Sequence, residues 1–199
     1  MTNKMKKFIL GLCLLALSTG CAIAQSFTLT ANGFVDEKNT DKSFVVAEVT
    51  GTQAELYNKT KAYLTSIYTS PKDVLSEAAP DLITVNGIQK DAVQKKAMGM
   101  AAVSYDMNYT LTIRFKDGKI RVDAPSFTLA DYTTNGSKPI KMVLCGKSNG
   151  GFGSEVINAI YNKKGELKAK YAKEALEAFF NGYVAKLVKG ISNTEKEDW

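Results

Sequence analysis

Residues 144–155, LCGKSNGGFGSE, form the segment that most resembles a nucleotide-binding loop. A phosphate-binding loop needs a glycine five residues before the glycine of Gly-Lys-Ser, and this chain has Lys141 there. The dinucleotide pattern also fails, because Val156 occupies the place of its third glycine. We therefore interpret the segment as a hinge from a strand into the last helix. Ser154 would cap that helix, and Phe152 would fold back on the core.

The chain contains no histidine, which removes the commonest general base and the commonest metal ligand. Nucleophile pairs of the Ser-His and Cys-His kinds are excluded for the same reason. The adjacent Lys147 and Ser148 are too close in sequence to have the usual geometry of base and nucleophile. We predict that the protein is not an enzyme, with no catalytic residues, no cofactor and no metal site. The remaining carboxylates are interpreted as solvated or turn residues: Asp36, Glu37, Asp117, Asp123 and Asp131.

Four tyrosines are the side chains best placed to bind a ligand. Tyr105 and Tyr109 lie on the apolar face of a predicted strand, and Tyr171 and Tyr183 lie on the apolar stripe of a predicted helix. One interpretation is plain core packing, with each hydroxyl at the rim. The other is a cavity between sheet and helix, lined also by Phe152, that binds an apolar or amphipathic ligand.

The strands that position these tyrosines follow from apolar alternation. The pattern predicts strands at 27–31 and 43–50, and a long strand at 105–116 that turns through Asp117-Gly118. The partner strand carries its apolar residues at alternate positions until the phase slips by one after Pro125. A bulge or bend at this proline is the physical interpretation.

Helix signals flank these strands. Thr52 and Glu55 form a capping box, which opens a helix that ends before Pro71. A second helical pattern runs from Ser154 to about Ile191.

The segment between them, residues 72–97, is predicted less completely. A short strand at Leu82–Val85, a tight turn at Asn86-Gly87 and a polar loop over 89–96 are expected. Cys145 ends an apolar run and is expected to be a small buried side chain.

The first 24 residues are predicted to be an export signal, because three lysines precede an apolar run at Phe8–Leu17. That run is shorter than the roughly 20 apolar residues that span a bilayer. Small residues favour cleavage between Ala24 and Gln25. The alternative is a lipoprotein, in which the lipobox-like STGC tetrad would carry its lipid on Cys21.

Loss of the signal changes the charge of the protein. The 199-residue chain has a formal charge of +6, and the signal holds three lysines and no acids, so the mature chain carries +3. The remaining charges are interspersed, which is unlike a basic stripe for phosphates. After cleavage only Cys145 remains of the three cysteines, so a core and no internal disulfide must stabilise the fold.

Three segments resemble one family: VVAEVTGTQAELY at 45–57, SPKDV at 70–74 and YTLTIRFKDGKIRV at 109–122. It is the family of exported bacterial proteins called domain of unknown function 4468, which has a TBP-like fold. The resemblance covers residues 43–130 and implies a sheet-and-helix fold and an envelope location. It implies no catalytic residue. The order of the predicted elements indicates an α+β fold, with an early helix and a long C-terminal helix packed on one face of a curved antiparallel sheet. We expect a single domain at 25–191 and a polar tail at 192–199.

The predicted function is that of a non-enzymatic binding module for a small apolar or amphipathic ligand. The alternative is a structural or adaptor domain that binds another envelope protein. Nucleic acid is not an expected partner, because the TATA-binding protein needs two repeats and a basic saddle, whereas this chain has one copy and a mild charge. The expected location is the periplasm or outer envelope of a Gram-negative bacterium, with membrane contact only through a lipid anchor on Cys21.

Overall fold

A computed structural model describes residues 25–95, 103–132, 139–149 and 157–193. These residues form ten strands and three helices. The elements in chain order are β1 Phe27–Thr30, β2 Gly33–Asp36, β3 Phe44–Glu48, α1 Gln53–Ile67, α2 Pro71–Val74, β4 Leu75–Ala78, β5 Leu82–Lys95, β6 Val103–Lys116, β7 Lys119–Asp123, β8 Ser126–Asp131, β9 Ile140–Cys145, β10 Ile157–Tyr161 and α3 Lys170–Asn193.

The long strand β6 organises an eight-stranded sheet. On one side it pairs with β5, and β4 follows at that edge. On its other side, the first half of β6 pairs with β8 and the second half pairs with β7. Strand β3 continues from β7, while β9 and β10 continue from β8. The sheet therefore divides along β6 into two wings, and all its pairs are antiparallel except β9 with β10.

The division occurs at Pro125, as the phase of the sequence predicted. Strand β7 ends at Asp123 and β8 begins at Ser126, so the chain leaves one wing and enters the other across two residues. Proline lacks the N–H that would continue the pairing with a neighbouring strand. The predicted bend at Pro125 is thus confirmed, and the chain passes there from one wing of the sheet to the other.

Helix α1 begins as its capping box requires. The Thr52 side chain accepts from the Glu55 backbone N–H, and the Glu55 carboxylate accepts from the Thr52 backbone N–H at 2.7 Å. Asp117, at the β6–β7 turn, accepts a hydrogen bond from the Gln53 backbone N–H at 2.7 Å. The turn thereby holds the helix start against the sheet, in addition to the turn role that was predicted for Asp117.

Helices α1 and α3 cover one face of the curved sheet, and the β1–β2 hairpin packs beside them. The α+β architecture expected from the order of the predicted elements is confirmed. Along β6, the odd-numbered side chains from Tyr105 to Phe115 are buried under the helices. Within the described residues, no helix is both long enough and apolar enough to span a membrane.

Two side chains of α3 clamp the hairpin. The Asn181 amide accepts from the Phe27 N–H at 2.7 Å and donates to the Phe27 carbonyl at 3.0 Å. The Glu177 carboxylate accepts from the Leu29 N–H at 2.7 Å. Burial acts to raise the pKa of Glu177, but its hydrogen bonds, first from Lys173, outweigh burial and lower it. Glu177 and Asn181 lie on the side of α3 opposite its apolar stripe. They would be exposed there if the hairpin did not pack against them.

The predicted strand at Leu82–Val85 is confirmed, but the predicted turn at Asn86-Gly87 and the predicted loop over 89–95 were wrong. Strand β5 is continuous from Leu82 to Lys95, and Asn86 and Gly87 lie inside it. Gly87 faces Tyr109 across the strand pair, and a Cβ at Gly87 would collide with the tyrosine ring. The glycine therefore marks a close approach of a side chain to the backbone rather than a turn.

The predicted start of the last helix at Ser154 was also wrong. Residues Ile157–Tyr161 form β10, and α3 begins only at Lys170. The Gly-rich segment consequently connects β9 to β10 and is not a hinge into the helix. Ser154 and Phe152 lie outside the described residues. Helix α3 continues to Asn193, two residues into the predicted tail.

Three burial predictions need correction. Cys145 lies at the end of β9 and is exposed, and its thiol donates to the Asn162 carbonyl oxygen at 3.2 Å. Asp36 and Asp131 were interpreted as solvated or turn residues, yet their exposed fractions are 1% and 2%. Asp36 ends β2 and its side chain turns inward to accept the Lys38 backbone N–H at 2.7 Å.

Candidate functional site

The predicted tyrosines lie in two groups. In the first group, the Tyr68 hydroxyl is 3.2 Å from the Tyr109 hydroxyl and 3.0 Å from the Tyr183 hydroxyl. The three residues come from the end of α1, from β6 and from α3, so the network ties both helices to the sheet. Burial is the main cause that raises the pKa of all three phenols. Each phenol is therefore neutral at physiological pH and has its polar atom satisfied.

The second group lies towards the other wing of the sheet. The Tyr105 hydroxyl accepts a hydrogen bond from the Asn158 side chain of β10 at 2.8 Å. Burial raises the pKa of Tyr105, and the nearby Tyr171 phenol adds to the shift. Asn158 was assigned to a helix from its sequence, so this contact was not foreseen.

The rings of the first group fill the space between sheet and helix. Tyr109 makes edge-to-face contacts with Phe179 at 5.3 Å and Phe180 at 5.8 Å between ring centroids. Tyr183 lies 6.4 Å from Tyr109 in the same arrangement. Such pairs stabilise a protein core beyond the area that they bury. The geometry therefore favours core packing for these tyrosines, and Phe152, the fifth predicted site residue, lies outside the described part of the chain.

The opposite face of the sheet, which we call the open face, carries the even-numbered side chains of β6. Cross-strand pairing sorts them into rows, because directly opposed residues project to the same side. One row joins Arg114 to Arg121 and Val46, and the next joins Lys116 to Lys119 and Glu48. No described helix covers this face.

These two rows line a groove of about 460 Å³, which we call the basic groove. It brings four cations together. Glu48 lies among its lining residues, and Asp123 forms ion pairs with both arginines. No ion pair joins Lys116 or Lys119 to a carboxylate anywhere in the described ranges. Excess positive charge with an apolar wall at Val46 is a combination suited to an amphipathic anion.

Both arginines are held in place. Asp123 accepts from Nε of Arg114 at 2.8 Å and from Nε of Arg121 at 2.6 Å. The Arg121 guanidinium also stacks on the Phe44 ring, with Cζ 3.9 Å from the ring centroid. Hydrogen bonds within the described residues do not use the Nη nitrogens of either arginine. Those nitrogens form the planar fork that binds carboxylate or phosphate with two parallel hydrogen bonds.

Two further grooves differ in character. One, of about 490 Å³, opens on the same face, and its polar walls surround Ile88, which is 70% exposed. Its other lining residues are Asn86, Gly87, Asn108, Tyr109, Thr110, Ser126, Phe127 and Thr128. The other, of about 470 Å³, includes Lys147 and Ser148 of the Gly-rich segment, together with Lys163, Lys164 and Lys168.

The first of these grooves has no charged lining residue, and the second has four lysines but no arginine. The Ser148 hydroxyl accepts from the Ala159 backbone N–H at 3.1 Å, so it supports β10. No cluster of three or more metal-binding side chains occurs in the part of the chain that the structure describes.

Sequence reasoning missed the basic groove, although the signal was present. In the strand pair around Asp117-Gly118, Arg114, Lys116, Lys119 and Arg121 all occupy the polar phase of the alternation. The two-residue turn places them opposite one another, so their convergence could have been read from the hairpin register. The positions of Phe44 and Val46 beside these cations could not have been read from the hairpin, because the pairing of β3 with β7 is a long-range contact.

Comparison with known proteins matches part of the chain to one family. The family described as "Domain of unknown function (DUF4468) with TBP-like fold" matches residues 44–129. The chain is similar to the crystal structure of a TBP-like protein from Parabacteroides distasonis ATCC 8503, with 15% identity, a TM-score of 0.48 and coverage of 76% of this chain and 92% of that chain. It is also similar to a DUF4468 family protein from Bacteroides ovatus ATCC 8483, with 13% identity, a TM-score of 0.48 and coverage of 78% and 88% respectively. No curated protein matches.

The matched residues run from the start of β3 to Leu129 in β8, so they include α1, the long strands β5 and β6, and all the cations of the basic groove. Over this segment, which is less than half of the chain, the protein is similar to the DUF4468 family with TBP-like fold.

Proposed function

We propose that this protein is a non-enzymatic binding module of the bacterial cell envelope, and that it binds an amphipathic anion in the basic groove. The observation that carries the proposal is the convergence of Arg114, Lys116, Lys119 and Arg121 in one groove of about 460 Å³. The absence of histidine from the whole chain supports a binding role over a catalytic one. The signal-like first 24 residues support export.

The chemistry of the groove selects the class of ligand. Two guanidinium groups fixed by Asp123 favour a carboxylate or a phosphate, since their forks match the geometry of these groups. Val46 and the Phe44 ring offer apolar contact for an attached chain. The ligand site is thus on the open face, and the tyrosines contribute by holding the opposite face rigid.

Isothermal titration calorimetry at low salt tests the proposal with decanoate and inorganic phosphate as probes. We expect decanoate to bind and added salt to weaken binding, because exposed charges are screened. Loss of a charge-assisted hydrogen bond of about 1.5–3 kcal/mol predicts that Arg121→Ala weakens decanoate binding by roughly 10- to 100-fold. Phosphate that binds as tightly as decanoate would show that the apolar wall is not used.

Two matched variants control for general electrostatics. Lys189→Ala removes an exposed cation from α3, far from the groove in the fold, and is expected to leave affinity unchanged. Lys164→Ala alters the lysine-rich groove beside the Gly-rich segment. Equal affinities of Arg121→Ala and the wild type, or a loss confined to Lys164→Ala, would overturn the assignment. A photocrosslinker at Lys119 that captures one protein reproducibly in cells would favour the adaptor role instead.

A further inference from the structure

Gln25 binds the outer edge of β3 with two different groups. Its backbone N–H donates to the Val46 carbonyl at 3.2 Å, and its side-chain Oε1 accepts from the Val46 N–H at 2.9 Å. Strand β3 pairs with β7 on its other side and ends this wing of the described sheet. Exposed strand edges present unpaired backbone groups that invite wrong pairing. Gln25 satisfies both such groups of Val46.

The two hydrogen bonds also fix the conformation of Gln25. Because N and Oε1 both meet the backbone of one residue, the side chain is folded back beside its own backbone nitrogen. The atoms N, Cα, Cβ, Cγ and Cδ are the members of a pyrrolidone ring, and only the bond between N and Cδ is missing. We propose that Gln25, once it is the amino terminus, is converted to pyroglutamate and that this lactam seals the edge of β3.

The reaction is balanced without another reagent. The neutral terminal amine attacks Cδ, the N–Cδ bond forms, and the Cδ–Nε2 bond breaks. Nε2 leaves as ammonia and takes up one proton from the attacking amine. Nothing is oxidised or reduced, and the chain loses one ammonia, about 17 Da, as a covalent modification of its terminus.

The product fits the site as well as the reactant does. In the lactam, N–H and C=O are neighbours on one side of the ring, so N–H still donates to the Val46 carbonyl and C=O still accepts from the Val46 N–H. Nε2, the group that leaves, makes neither bond. Cyclisation also removes the positive charge of a free amine from a half-buried position at the sheet edge.

This inference rests on the proposed export and on cleavage after Ala24. The test is peptide mapping by mass spectrometry of the full-length gene product, purified from its own envelope. We expect an amino-terminal peptide that begins at residue 25 and is about 17 Da lighter than its sequence. A synthetic peptide with the same glutamine terminus, added at lysis and recovered unmodified, excludes cyclisation during purification.

The outcomes separate the two ideas. An unmodified Gln25 terminus would overturn the lactam and leave the export proposal intact, whereas a lipidated Cys21 or an uncleaved chain would overturn the lactam and the cleavage site together. Hydrogen exchange of the Val46 amide adds a second readout, with Gln25→Ala as the matched variant that cannot cyclise. We expect protection in the wild type and faster exchange in the variant. Equal exchange rates would show that Gln25 does not seal the edge.

Discussion

The two faces of the sheet differ in how their polar groups are satisfied. On the helix-covered face, Tyr68, Tyr109 and Tyr183 bond to one another, and aromatic rings fill the space around them. On the open face, Arg114 and Arg121 share a single carboxylate, and Lys116 and Lys119 have none within the described residues. The covered face therefore stabilises the fold, while the open face retains unused hydrogen-bonding capacity and charge.

Tyr109 and Tyr183, two of the tyrosines that were predicted to bind a ligand, lie on the covered face. Alternation along β6 places half of its side chains on each face, and the more apolar half is the half that the helices cover. The polar half lies on the open face, which no described helix covers. Substitutions on the two faces should accordingly have separable effects on stability and on binding.

The largest effect on stability is expected on the covered face at Gly87. A methyl group there would collide with the Tyr109 ring and displace it from Phe179 and Phe180. Overpacking of this kind costs about 3 kcal/mol at the upper end of its usual range, so Gly87→Ala should unfold at clearly lower urea concentration.

Gly182→Ala is the matched control, because the space around Gly182 on α3 is open. It should stabilise the helix by about 0.5–1 kcal/mol. Equal stability of Gly87→Ala and the wild type would contradict the account of close packing.

The next effect is expected at the clamp on the β1–β2 hairpin. Asn181→Ala leaves the Phe27 N–H and carbonyl without their partner, which should cost about 1–2 kcal/mol. Hydrogen exchange should quicken in β1 before the rest of the sheet. Glu174→Ala, on an exposed turn of the same helix, is the comparison variant, with an expected cost below about 0.5 kcal/mol.

Alkaline pH should weaken the covered face selectively. The folded-state pKa values of Tyr68, Tyr109 and Tyr183 are raised above the ordinary value of about 10. Their stabilising contribution is complete below that pH and is lost as pH rises through the raised values, because the unfolded chain ionises first. Urea unfolding from pH 8 to 11 should show this loss.

Tyr183→Phe sharpens the same test. It should reduce stability by about 0.5–1.5 kcal/mol at neutral pH, since one hydroxyl bond is lost, and should flatten the alkaline decline. An unchanged pH profile in this variant would mean that the three phenols do not titrate as one buried network.

The smallest effect on stability is expected on the open face. Lys119→Ala removes an exposed cation that makes no ion pair among the described residues, so unfolding should change by less than about 0.5 kcal/mol. The same variant should weaken decanoate binding, which calorimetry would detect. A large loss of stability without a loss of binding would reverse the roles assigned to the two faces.

Local signals in the sequence predicted much of the fold. The alternation along β6, the Asp117-Gly118 turn and the Thr52–Glu55 capping box each depend on residues close in sequence. Ile157–Tyr161 was misassigned because a short apolar run fits a helix face and a buried strand equally well. Gly87 was predicted to lie in a turn because the residue that requires a glycine there, Tyr109, is on another strand and is not visible from the local sequence.

The candidate site was predicted less well than the fold. Periodicity identified Tyr109 and Tyr183 as inward-facing, but it could not show whether the space between them was filled. The basic groove depends on β3 lying beside β7, and the Gln25 contact depends on β3 being an edge strand. Both are consequences of strand order.

The sequence by itself therefore determined the start of α1, the apolar face of β6 and the absence of histidine chemistry, because these are properties of local pattern and composition. Only the tertiary structure decided that the tyrosines close the core, that four cations of a hairpin meet Val46 and Phe44, and that Gln25 reaches the edge of the sheet. The physical reason is that pairing between distant strands is selected by the packing of the whole sheet, which no local segment encodes.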